Sequence, residues 1–134
     1  MATIETNVSR QFKDLDLRFT KHPLKKDVSK NLDQVAVIYA IKNLILTNHY
    51  EKPFNPDYGS NVRKLLFETI DIITANALER EIEQTIINFE PRVSILGISV
   101  FPDVDVNGFR VDLQFSIINQ TEAVSVSFLL ERTR

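Results

Sequence analysis

The 134-residue chain has no cysteine, no tryptophan and only three glycines. Without cysteine there is no disulfide framework, no thiolate-ligated zinc or iron site and no thiol nucleophile, so redox chemistry through cysteine is excluded. So few glycines, with no Ser-rich or Pro-rich stretch, leave no flexible linker or low-complexity segment. No internal repeat is visible. Long apolar runs are missing as well. The longest, Val35 to Ile41, stops at Lys42, far short of the roughly 20 residues that a membrane-spanning helix needs. Met1 to Arg10 does not read as a basic segment followed by an apolar one, so the expectation is a soluble protein without a secretory signal. Excess charge of one sign is also absent: Lys plus Arg total 16 against 18 Asp plus Glu, a formal charge of −2. A pI near 5.7 is the opposite of the basic face that counterion release from nucleic acid requires. Neither nucleic acid nor a membrane is an expected partner.

What is present is ordinary globular material, 43% hydrophobic and 25% charged. At this length about two-thirds of the unfolded surface can be buried without metal or disulfide, so residues 1–134 are expected to form a single domain, with 1–30 as an extended N-terminal segment. Leu15, Leu17 and Phe19 alternate with Asp14, Asp16 and Arg18, the period of a half-buried strand that ends by Pro23. Asn31 to Asn48 reads as a helix with apolar residues around nearly its whole circumference, which places it between two layers or beneath a partner. Pro53 to Gly59 is a rigid turn, because each proline fixes its own backbone and disfavours helix before it. Ser60 or Asn61 suits the cap of a short helix through Phe67. Thr74 to Phe89 repeats Ala75, Leu78, Ile82, Ile86 and Phe89 at helical spacing, with Pro91 setting its limit. Val93–Phe101, Phe109–Ile117 and Ala123–Leu130 read as strands. Asn107-Gly108 signals a tight type I′ hairpin, and Asn119 to Glu122 a second turn. The fold class is α+β: helices packed on a C-terminal antiparallel β-sheet.

Candidate chemistry weakens on inspection. Asp103, Asp105, Asn107 and Gly108 begin like a calcium loop, but the closing position falls on Gln114, which has no bidentate carboxylate, and Arg110 adds opposing charge. Glu79 and Glu83 share a helical face near Glu81 and Glu90. Glycoside cleavage needs carboxylates across a cleft with one pKa raised by burial, and a wet face interleaved with Arg80 gives no cause for that. Tryptophan for sugar stacking is lacking. His22 and His49 stand alone, outside any metal-binding spacing, and no GxSxG or phosphate loop occurs. The expectation is no catalytic residue, no metal and no cofactor.

Two features point to binding. The last strand alternates Val124, Val126 and Phe128 with Ser125 and Ser127, and has no Pro or Lys from Thr121 to Leu130. Edge strands normally carry such protection, so this one is either paired inside the domain or available to a partner by strand addition. Glu90-Pro91-Arg92 sets a charge, a rigid bend and an opposite charge where a helix hands over to a strand. The planar fork of Arg92 could lock helix to sheet or grip another subunit.

Pro53-Phe54-Asn55-Pro56-Asp57-Tyr58-Gly59, Leu66-Phe67-Glu68, Glu79-Arg80 and Asn88-Phe89-Glu90-Pro91-Arg92-Val93, in that order, resemble the baseplate wedge and sheath-initiator family of contractile-tailed phages. That family includes the type VI secretion baseplate subunit and the phage tail protein W. The resemblance runs from Asp14-Leu15-Asp16-Leu17 to the last strand. It implies a structural protein of the virion tail, assembled in the host cytoplasm into each wedge of a sixfold baseplate, with a sheet like the interlocking domain of the sheath. The implied partners are other wedge proteins and the tail sheath protein, with the tail tube or hub as further candidates. Glu90, Pro91 and Arg92 match the motif associated with docking on the wedge core, and Val124, Val126 and Phe128 lie where sheath strands would pair. The competing readings are a small tail-associated cell-wall hydrolase, since the family is sometimes labelled lysozyme-like, and the equivalent subunit of a secretion or bacteriocin machine.

Overall fold

The computed structural model describes residues 13–15, 30–32, 34–118 and 120–132. Strands β1 (Lys13–Leu15) and β2 (Lys30–Leu32) form a short antiparallel pair with Lys13 opposite Leu32. This pairing takes residues 31 and 32 out of the helix expected from Asn31, and helix α1 runs instead over Gln34–Leu46. Only Asp14 and Leu15 of the strand expected over residues 14–19 fall in β1; Leu17, Phe19 and His22 lie outside the described residues.

Helix α1 contains no glycine or proline and buries Ala36, Val37, Ile41, Leu44 and Ile45. Its C-terminal carbonyls need partners. The Ser60 hydroxyl donates to Ile45 O at 2.7 Å, and Ser60 N donates to Thr47 O at 2.8 Å. That return brings Gly59, at φ +124°, so close that a Cβ there would lie 2.6 Å from Thr47 O; only glycine fits. Helix α2 (Val62–Leu66) follows, and Val62 and Leu66 enter the core. Asn61 makes no side-chain cap; the Ser60 hydroxyl instead accepts from Val62 N at 3.3 Å. Helix α3 (Ile72–Phe89) starts two residues before Thr74 because the Asp71 carboxylate caps it, accepting from Thr74 N at 2.7 Å. Glu90 ends it, with Pro91 next.

The C-terminal sheet has the order β3-β4-β5, from β3 (Val93–Asp103), β4 (Gly108–Ile117) and β5 (Ala123–Glu131), antiparallel throughout. Phe109, Val111, Leu113, Phe115 and Ile117 point to one side of β4 and are all but inaccessible. They meet Val37, Ile41 and Ile45 of α1 and Leu78, Ile82 and Ile86 of α3 in one core. Each such fully buried side chain is worth roughly 1.5–3 kcal/mol. The α+β arrangement is therefore the one expected. The first hairpin differs in detail from a tight type I′ turn. Its loop spans residues 104–107, and Asn107 alone takes a left-handed φ of +51°. Gly108 belongs to β4 opposite Asp103 and Glu131, where a Cβ would collide with Leu130 O.

Candidate functional site

The strand β4 is central, so β3 and β5 are the two edges of the sheet. The edges are built differently. Along β3 the register shifts between Ile95 and Gly97, leaving Leu96 as a bulge, and Pro102 offers no N–H. A bulge twists an edge and interrupts its row of donors and acceptors. In contrast, β5 pairs with β4 without interruption from Ala123↔Ser116 to Glu131↔Gly108. Backbone groups alternate in direction along a strand, so an unbroken ladder on one side leaves a regular row on the other. Among the described residues nothing pairs with that outer row.

Val124, Val126 and Phe128 are half-buried and pack on the core from β5, while Ser125 and Ser127 face outward. The Ser127 hydroxyl donates to Asp112 Oδ1 at 2.6 Å on the outer face. What a neighbouring strand would meet is thus the main chain of β5, flanked on the inner side by Val126 and Phe128. Beside them α1 contributes Ile38, Tyr39 and Lys42 to an apolar groove of about 330 Å³. The sequence reading singled out neither these α1 residues nor the bulge at Leu96. The apolar circumference of α1 was the available signal: its stripe facing β5 is incompletely covered, with Val35 47% exposed.

Glu90, Pro91 and Arg92 form the corner between α3 and β3. The Glu90 side chain is 8% exposed, and Arg92 clasps its carboxylate with Nε donating to Oε1 at 2.5 Å and Nη2 donating to Oε2 at 2.8 Å. Glu90 N still closes the helix on Ile86 O, and Arg92 O accepts from Ile118 N at 2.9 Å. The fork therefore sets the angle at which helix enters sheet. It brings together two of the expected wedge-docking residues, and leaves Pro91 exposed at the surface. This corner and the β5 edge are separate sites on the chain.

Three of the other candidates, Glu81, Asp103 and His49, are engaged elsewhere. Glu81 Oε1 accepts from Asn61 N at 2.9 Å and ties α3 to the start of α2. Asp103 lies 3.5 Å from Arg110 on the sheet surface. His49 Nδ1 lies 3.0 Å from Asp57 O, within the turn.

Comparison with known proteins adds four findings. The profile of a family described as baseplate wedge protein gp25 matches residues 33–122. Baseplate wedge protein gp25 of Enterobacteria phage T4 is 30% identical over 118 residues, covering 88% of this chain and 89% of the relative. Among solved structures, a putative tail lysozyme from Geobacter sulfurreducens has a TM-score of 0.66 at 18% identity, over 73% of this chain and 89% of its own. A chain of the 6-fold symmetrised baseplate of the anti-feeding prophage has a TM-score of 0.63 at 17% identity, over 92% and 88%. At such identities both structures speak to the fold alone.

Proposed function

This chain belongs to the baseplate wedge protein gp25 family, and we propose that in the baseplate of a contractile tail it acts as a docking template, held by neighbouring wedge subunits and starting the sheath by strand addition to β5. The observation that carries the proposal is the asymmetry of the sheet: β3 is interrupted by the Leu96 bulge and Pro102, whereas β5 is regular, without Pro or Lys, and lies beside an apolar groove. A sheath strand added there completes the main-chain hydrogen bonds of β5. Its inward side chains enter the groove between β5 and α1. The groove sets the register, because a slip of one residue turns that apolar set outward.

Glu90, Pro91 and Arg92 form the wedge-docking corner in this reading, with the Glu90–Arg92 fork holding its shape and the exposed Pro91 and partly exposed Arg92 presented to the wedge core. The role is structural, without catalysis. In support, Glu81 is bound to the Asn61 amide and Glu90 to Arg92, so both carboxylates are engaged in holding the fold.

Proline at Val126 and at Ser127 tests the template. Adjacent residues of a strand turn their N–H groups to opposite sides, so one of these substitutions breaks the β4 ladder and the other removes only an outward donor. The variant that keeps its thermal stability is expected to enter baseplates normally and to leave them without sheath. Normal sheaths on baseplates carrying that variant would refute templating.

A further inference from the structure

The turn between α1 and α2 contains a residue that the fold does not use. Phe54 is fully exposed, at 106% of its reference surface, and holds a left-handed φ of +66°. A bulky aromatic residue is rarely found in that conformation, and a Gly or Asn adopts it with less strain. The turn is stiff without help from the Phe54 ring. Tyr50 N donates to Pro56 O at 2.8 Å, Tyr58 N to Asn55 O at 3.2 Å, and Asn55 N to Lys52 O at 3.4 Å. Lys52 Nζ sits 4.0 Å above the Tyr58 ring, which in turn meets the Phe89 ring edge-on at 5.4 Å. Pro53 and Pro56 bracket the tip. The sequence therefore keeps a phenyl ring in water, at a strained position, on a braced support.

We infer that Phe54 is an interface anchor, inserted in the assembled baseplate into an apolar pocket of a neighbouring protein subunit. Strain of this kind persists where the surroundings impose it, and it gathers at functional positions. A rigid aromatic side chain already fixed in its bound position loses little entropy on docking, which is the character of residues that dominate protein interfaces. The partner is a protein rather than a polyanion or lipid surface. Around the tip Lys52 and Arg63 are balanced by Asp57 and by Glu51, which lies 3.9 Å from Arg63, so there is no net basic cluster for phosphates. The inference rests on assembly into a baseplate, and is independent of sheath templating at β5.

The test is competitive incorporation. Wild-type chain and either Phe54→Gly or Phe54→Asn are co-expressed in cells assembling the particle, and their ratio in purified baseplates is read by mass spectrometry. Denaturant midpoints of the isolated chains are measured in parallel. Both variants are expected to unfold at a midpoint equal to or above wild type, because the left-handed position suits them, yet to be under-represented in baseplates by roughly tenfold or more, as for loss of an interface anchor. Equal incorporation would overturn the inference. A lowered midpoint would also overturn it, by showing that the ring serves the fold. Absence of the wild-type chain from the particles would instead refute its place in the baseplate, whereas bare baseplates that contain the chain bear on templating alone.

Discussion

The Glu90–Arg92 pair shows how much a single contact decides. A carboxylate on a side chain that is 8% exposed must be compensated, and here a guanidinium two residues away satisfies both oxygens. Arg92→Ala leaves that carboxylate without its fork and is expected to cost roughly 1–3 kcal/mol, with the isolated domain still folded. Arg92→Lys should recover little of this, because an ammonium cannot reproduce the planar, paired geometry. Denaturant titration of the isolated chains measures the stability change, and co-purification with wedge subunits measures docking. Undiminished wedge binding by Arg92→Ala would remove the corner from the docking surface. The charges and the bend were legible in the sequence. Their clasp was not, since burial of Glu90 depends on how the sheet closes against α3.

At the scale of elements, repeated patterns were legible and their boundaries were not. The three-and-four spacing of Ala75, Leu78, Ile82 and Ile86 gave α3, and two-residue alternation gave β4 and β5, because one face of each must meet the core. The start of α1 moved to Gln34 through long-range pairing with Lys13–Leu15, and the Leu96 bulge arises from cross-strand register, which a single segment does not encode. The start of α3 depends on Asp71, a cap beside an apolar run. Its carboxyl lies below the ordinary aspartate range, chiefly because the Thr74 backbone N–H binds the ionised form. A carboxylate depressed by folding stabilises above its unfolded pKa of about 3.9, and that contribution is lost as pH falls through the folded value. Asn caps comparably but does not titrate there. Between about pH 6 and about pH 3 the wild-type urea midpoint should therefore fall further than that of Asp71→Asn. Parallel falls would show that the cap contributes nothing to the acid response.

For the whole molecule the property that templating needs is that the C-terminal sheet has, among the described residues, one regular edge. A chain with two regular edges could add neighbours on both sides and grow without limit, whereas one regular edge permits a single closed event. Here β3 is interrupted at Leu96 and Pro102, β5 is unbroken, and a net charge of only −2 offers little repulsion between copies. The isolated chain at high concentration should accordingly form a dimer through antiparallel β5–β5 pairing and stop there. The stable member of the Val126→Pro and Ser127→Pro pair lacks an outward donor and should remain monomeric. Analytical ultracentrifugation across a concentration series decides the matter. Open-ended oligomers would mean that β3 also accepts strands, and a dimer unchanged in the proline variant would place self-association on another surface. A dimer lost together with sheath initiation would tie both to the same row of main-chain groups.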